Sequence, residues 1–200
     1  MGQQRGRSVQ AILFDLDGTL YPNHQAVRCA WPLFVRYKSL FLAFREVRSC
    51  VRNMRPIYDL HALQAQMVAE KLQIAPEVAR DLIDEVIYTR LIAPFSGVKT
   101  FKGTLRALTM LRDRGVVTGV LSDLPPNEKL EHLGLLGFDY VLTSETTNYL
   151  KPNPEPFLYA AEQLTVHAEN IMYVGNHYQY DILGARAVGM LTAHHVRRKQ

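Results

Sequence analysis

Five short apolar runs, at residues 9–14, 116–121, 140–143, 171–174 and 191–196, constrain the fold more than any other feature of this chain. Each is nearly continuous rather than alternating, which is the pattern of strands covered on both faces in a parallel sheet. Helical patterns separate the later four. Residues 101–114 carry Leu105, Leu108 and Leu111 and stop at Gly115. Residues 127–133 stop at Gly134, and 180–188 at Gly189. Asn153-Pro154-Glu155 reads as the cap, first position and acidic first turn of a helix running to Leu164. Strand alternating with helix predicts βαβ units and an α/β class.

The interval between the first two strands breaks this rhythm. Residues 21–94 read as helix only, too long for one crossover. Tyr37, Leu40, Phe41, Phe44, Val47, Val51 and Met54 recur at three- and four-residue steps until Pro56. Two further helices are expected over 58–72 and 76–91, the second opening on Pro76 and Glu77. The expected division is a catalytic core at 1–20 plus 95–200, with a helical insertion at 21–94 above the C-terminal end of strand one.

Two hundred residues with 48% apolar and 21% charged side chains suit one globular domain with an insertion, not a low-complexity or disordered chain. No apolar run approaches the roughly 18 residues of a membrane span. The first eight residues are polar and basic with no signal core, and Gly6 stands where myristoylation wants Ser or Thr. Two cysteines, Cys29 and Cys50, make no disulfide framework, so a reducing cytoplasm is expected. The net charge of +4 is uneven: residues 28–55 hold seven basic side chains against Glu46 alone. With the basic excess confined to one segment, no nucleic-acid partner is expected. Arg45, Arg48, Arg52 and Arg55 fall opposite the Phe44-Val47-Val51 stripe. The simplest reading of most is a solvated helix face. Steering of an anionic substrate and a membrane-surface helix are the alternatives, and membrane association is not expected.

The chemistry begins at Phe14-Asp15-Leu16-Asp17-Gly18-Thr19-Leu20. An apolar strand delivers two carboxylates to its C-terminal end, where open α/β sheets bind ligands. Uncompensated carboxylates beside a core are costly, and a metal cation would compensate them. Gly18 allows a sharp turn with its N–H open to an anion. The simpler reading is an acidic turn with a helix cap.

This stretch resembles the first motif of the haloacid dehalogenase superfamily, and the likeness spans nearly the whole chain in the family's order. Val120-Leu121-Ser122-Asp123 resembles its second motif, Lys151-Pro152-Asn153-Pro154-Glu155 its third, and Gly175-Asn176 through Asp181 its fourth. The insertion resembles the family's α-helical cap. The resemblance implies a Rossmann-like parallel five-stranded sheet, order 5-4-1-2-3, with an inserted all-helical cap domain. It also implies a phosphomonoester hydrolase acting on a small phosphorylated metabolite. Asp15 would be the nucleophile forming an aspartyl-phosphate, and Asp17 the general acid and base. Repulsion between the two carboxyls favours a proton on one of them. Gly18, Thr19, Ser122, Asp123 and Lys151 would bind the phosphoryl group. Asp15, Asp17 through its carbonyl, Asn176 and Asp181 would hold Mg²⁺.

Each assignment has a plainer competitor. Ser122 can cap a turn, Lys151 can be solvated, and Asp181 can be a first-turn acid. His24, His177 and Tyr178 are read first as turn or packing residues. The main departure is Asn176, where the family usually carries Asp. Asn supplies a carbonyl oxygen without the charge, so a catalytically weak phospho-ligand-binding relative stays open. So does a phosphomutase of the β-phosphoglucomutase type. A dehalogenase is disfavoured by Asp17. No zinc spacing, P-loop or G-x-G-x-x-G is present.

Overall fold

The computed structural model describes residues 8–196, so most of the basic N-terminal stretch lies outside the described residues. Five parallel strands form one sheet in the order β3-β2-β1-β4-β5, the expected order read from the other edge. They are β1 (Ala11–Phe14), β2 (Val117–Ser122), β3 (Tyr140–Thr143), β4 (Ile171–Gly175) and β5 (Leu191–His194). The registers Phe14 to Val120 and Phe14 to Val174 align the C-terminal ends of the central strands. Every strand end that carries a motif therefore opens on one side of the sheet.

Adjacent strand residues point to opposite faces, and each face has its own cover. Leu13, Leu121, Ile171 and Tyr173 pack on Phe157, Ala160 and Ala185. These belong to helices α8 (Pro154–Leu164) and α9 (Gly184–Ala187). On the other face Val120 joins Leu16, Leu20, Tyr21, Phe95 and Leu130. Leu130 lies in α7 (Asn127–His132) and Phe95 in the 3₁₀ turn Ala93–Gly97. Helix α6 (Thr104–Asp113) packs loosely: none of its residues is buried, and Leu105, expected on the inner face, is 55% exposed.

The interval after β1 is helical, as its pattern predicts, but it is subdivided. Helices α1 (Asn23–Cys29) and α2 (Trp31–Arg36) precede the long α3 (Lys38–Val51). Ala26 and Cys29 of α1 pack on the sheet-side cluster, so the chain leaves the core's packing only after them. Helix α3, α4 (Leu60–Leu72) and α5 (Pro76–Leu82) enclose a second core, including Phe44, Val47, Leu60, Val68 and Val86. Its α3 stripe is the expected one from Tyr37 to Val51, but the helix ends there and Met54, expected to continue it, is exposed. Helix α4 starts as sequence rules favour, with Asp59 accepting from the Ala62 N–H at 2.9 Å. The helix expected over 76–91 changes winding at Ile83 and runs to Arg90 with wider turns, Leu91 N–H reaching Val86 O. Leu150, next to Lys151, is a core-side residue that belongs to this second cluster. Asn153 stands at the cap position of α8, but its side chain donates instead to the Arg52 and Leu150 carbonyls.

Candidate active site

Asp15 follows β1 directly, its N–H held by Val174 O of β4 at 2.8 Å. Both oxygens of its carboxyl are occupied. Lys151 Nζ lies 2.8 Å from Oδ1, and Thr19 donates its hydroxyl to Oδ2 at 2.8 Å. The same ammonium reaches Asp181 Oδ1 at 2.8 Å and the Tyr173 hydroxyl at 3.1 Å. Tyr173 in turn donates to Leu121 O at 3.2 Å. Lys151 is 3% exposed, so the solvated-lysine reading is excluded. One ammonium thus faces two carboxyls. Asp181 turns its other oxygen to the His177 N–H at 2.9 Å. It is the counter-ion of Lys151 and a loop anchor, more than the first-turn acid of the simpler reading.

Charge is shared unevenly. Burial pushes the Asp15 carboxyl up to about 7, since Lys151 only partly offsets desolvation and Asp181 and Asp17 add repulsion. Burial also opposes ionisation of Asp17, but the Lys129 ammonium and the Tyr21 hydroxyl outweigh it and hold that carboxyl below its ordinary value. Lys129 Nζ lies 2.9 and 3.1 Å from the two Asp17 oxygens, and Tyr21 donates to Oδ1. Of the two neighbouring carboxyls, the one inclined to keep a proton is therefore Asp15. The sequence motif names neither Lys129 nor Tyr21. Lys129 shares a helix face with buried Leu133, four residues on, which was the available signal.

Gly18 takes φ +92°, and a Cβ there would lie 2.2 Å from Asn176 Nδ2 and 2.8 Å from Asn23 Nδ2. The glycine is required both for its left-handed backbone and for the approach of the Asn176 amide to the turn. At Gly175 a Cβ would lie 2.4 Å from that of Asp181, so the fourth motif closes on itself only without a side chain. Ser122 is fully buried, and its Oγ accepts from the Leu124 N–H at 3.3 Å, as a turn-capping serine does. His177 caps the following turn, Nδ1 accepting from the Tyr180 N–H at 3.2 Å. Tyr178 is half exposed.

The Asp123 side chain, expected at the phosphoryl group, is already partnered: Oδ2 accepts from Arg52 Nη2 at 2.7 Å, and Oδ1 from Ser144 Oγ at 2.7 Å and the Lys151 N–H at 3.2 Å. Burial alone would raise its pKa, but Lys151, Arg52 and Arg48 together pull it down to about 2. The arginine face is solvated only in part: Arg45 and Arg55 are exposed, Arg48 and Arg52 are not. Arg48 is buried against Glu145 and also donates to Gln64 Oε1 and Asp123 O. Arg55 pairs with Glu155 at 2.7 Å. Arg48 and Arg52 therefore pair with core acids away from water, whereas Arg55 makes its pair at an exposed edge.

Among the described residues no three His, Cys, Asp or Glu side chains are grouped as a metal cage. The donor chemistry nonetheless fits a hard cation bound partly by amide and carbonyl oxygen. Asp15 is a buried carboxyl short of positive charge, and Gly18 leaves a cradle beside Asn176 that a Cβ would fill.

A profile of the haloacid dehalogenase-like hydrolases matches residues 9–189. The glyceraldehyde 3-phosphate phosphatase of Methanopyrus kandleri is 28% identical over 197 residues, covering 92% of this chain and 82% of the relative. Among solved structures, a 2-haloacid dehalogenase from Pseudomonas syringae pv. Tomato aligns with a TM-score of 0.66 at 26% identity, covering 92% of this chain and 85% of the other. A phosphatase of the same family from Thermococcus onnurineus aligns at 0.61 and 25% identity, covering 96% and 88%. A parallel α/β core with paired carboxyls and a buried lysine at its strand ends defines the class. The chain belongs to the haloacid dehalogenase-like hydrolases.

Proposed function

We propose that this hydrolase is a Mg²⁺-dependent phosphomonoesterase working through an aspartyl-phosphate on Asp15, with the cap interval at 21–94 governing access. The observation that carries the reading is the buried Lys151 joining Asp15 to Asp181 at the ends of β1 and β4. Its likeness to the glyceraldehyde 3-phosphate phosphatase supports a small phosphorylated metabolite as substrate. A reducing, cytoplasmic setting suits free Cys29 and Cys50.

Thr19 and Lys151 fix the two Asp15 oxygens, so the carboxylate is oriented before substrate arrives. Lys151 then counters charge on the phosphoryl oxygens, assisted by the open N–H of Gly18 and the hydroxyl of Ser122. The proton that the resting site favours on Asp15 passes to Asp17 before attack; Asp15 then attacks phosphorus, the ester P–O bond breaks, and Asp17 gives the departing oxygen that proton. Asp17 is ionised afterwards, the state Lys129 and Tyr21 favour. It takes a proton from the water that hydrolyses the acyl phosphate, which readies it for the next cycle. Mg²⁺, held by the Asp15 carboxylate, the Asp17 carbonyl and the Asn176 amide oxygen, would neutralise phosphoryl charge and lower the Asp15 pKa.

One observation favours a second reading. With Asn176 uncharged and Asp181 committed to Lys151 and the His177 N–H, metal affinity is low and turnover weak. Both readings meet in one assay: p-nitrophenyl phosphate with and without Mg²⁺, beside Asp15→Asn and Asn176→Asp. Mg²⁺-dependent turnover lost in Asp15→Asn supports the phosphatase. Turnover that appears only in Asn176→Asp supports the weak relative. If Asn176→Asp leaves the Mg²⁺ requirement of an active protein unchanged, the ligand role of residue 176 is wrong.

A further inference from the structure

Helices α2 and α3 form almost one rod: Phe34 N–H reaches Ala30 O, Tyr37 N–H reaches Leu33 O and Phe41 N–H reaches Tyr37 O across the junctions. The inner side of the rod is the expected stripe, packed into the second core. A second row runs along the outer side at helical steps: Trp31, Val35, Lys38, Leu42 and Arg45. All five are exposed, Trp31 by 61%, Val35 by 60% and Leu42 by 42%, and they border one continuous surface. Large apolar side chains in line are not what a solvated helix face presents. Around them the charge has one sign. From Arg28 to Arg45 the chain has no Asp or Glu. Arg28, Arg36, Lys38 and Arg45 are exposed and carry no ion pair among the described residues, whereas Arg48 and Arg52 turn to core acids. Glu46, the first acid beyond Arg45, is held by Lys71 at 2.8 Å.

We infer that this outer face of α2 and α3 lies on an anionic membrane surface, with Trp31, Val35 and Leu42 in the headgroup boundary and the cations on lipid phosphates and carboxylates. Charge and apolar surface together select that occupant. A second copy of the chain would set these unpaired cations against their own kind, with no acid in the row to answer them. A nucleic acid would pair the cations but leave Val35 and Leu42 wet. An anionic bilayer answers both: tryptophan favours the interface, the aliphatic side chains enter the acyl boundary, and Lys and Arg extend to the headgroups. No helix among the described residues is long and apolar enough to cross a membrane, so the contact is with the surface. Membrane association, not expected from the charge pattern alone, follows from the apolar row that the fold leaves on the basic side. The inference is independent of the phosphatase reading.

The test adds vesicles to the full chain and reads Trp31, the only tryptophan of the chain. Vesicles mixing phosphatidylserine with phosphatidylcholine shift its emission to the blue in a saturable way, and pure phosphatidylcholine binds on the order of 10-fold more weakly. Raising the salt weakens the binding to mixed vesicles. Lys38→Gln with Arg45→Gln lowers that affinity on the order of 10-fold. Val35→Ser with Leu42→Ser lowers it as well, read by flotation. Both pairs alter exposed side chains only, so their melting curves overlay that of the wild type. Flotation with vesicles while Trp31 emission stays unmoved overturns the inference, because another part of the chain then makes the contact. Equal affinity for the two vesicle types overturns it too, since charge then selects nothing. So does a blue shift that follows protein concentration without lipid, the mark of a second copy, or tighter binding to single-stranded RNA than to the mixed vesicles.

Discussion

Asp15 and Asp123 follow or flank the ends of adjacent strands, both lie near Lys151, and both are largely buried, yet their carboxyls are driven in opposite directions. Asp123 has Arg52 as its own partner, with Lys151 and Arg48 close by, and falls to about 2. Asp15 must share one ammonium with Asp181, feels Asp17 besides, and rises to about 7. Around Asp123 the polypeptide neutralises a carboxylate completely and uses it to tie the helical insertion to the core. Around Asp15 it leaves a carboxylate short of positive charge. A group kept short of compensation is poised to gain from a cation or a phosphoryl group, at a cost in stability.

The comparison predicts opposite signs for the same substitution. Asp15→Asn abolishes turnover of p-nitrophenyl phosphate, by about 10⁴-fold or more, while raising thermal stability in chelator at pH 8. The sign follows from linkage: a carboxyl whose folded pKa is raised favours the folded state at low pH and loses that contribution as pH rises toward about 7. The advantage of Asp15→Asn therefore disappears near pH 4. Melting curves at the two pH values check it, and a less stable variant at pH 8 would show that Asp15 is already compensated.

Next in size is the buried pair on the latch side. Arg48→Ala leaves Glu145 buried without a counter-ion, held only by the Tyr88 hydroxyl at 2.8 Å, and costs about 3–5 kcal/mol in urea unfolding. Arg48→Met with Glu145→Leu recovers most of that loss, because the second change removes the stranded charge. A double variant as unstable as the single would mean that packing, rather than charge, fixes this corner.

Asp123→Asn is destabilising, by roughly 2 kcal/mol at pH 7 for a carboxyl moved from 3.8 to about 2. Here the folded pKa is depressed, so the contribution is present above pH 4 and fades as pH falls toward 2. Urea midpoints of wild type and variant should converge over that range. Arg55→Ala is the smallest change: its pair with Glu155 is exposed, and salt-screened surface pairs add little. Its unfolding curve should overlay that of the wild type, and a clear shift would give the exposed end of the latch a weight this comparison denies it.

Legibility follows the range of the interactions. The five strands were readable because burial on both faces writes a continuous apolar run. The α3 stripe was readable because one buried face repeats at the helical period. Asp15, Lys151 and Asp181 were readable only through motif order, since 136 residues separate Asp15 from Lys151. Lys129 and Tyr21 were missed: a lysine in a short helix looks solvated until Asp17, 112 residues away, is placed beside it. Arg48 and Arg52 were misread for the same reason, since amphipathic periodicity marks the face opposite the stripe as polar but not what stands against it. The widened turns at Ile83–Arg90 and Tyr178–Leu183 left no mark that the apolar pattern could show.

By itself, then, the sequence determined the α/β alternation, the helical interval after the first strand, and the acids delivered to strand ends. All of these are consequences of local periodicity and turn chemistry. Tertiary structure alone decided which carboxyl is compensated, which arginines are latches, and which apolar side chains stay exposed among cations. Charge compensation and exposure depend on groups brought together from distant parts of the chain, and no local pattern carries that information.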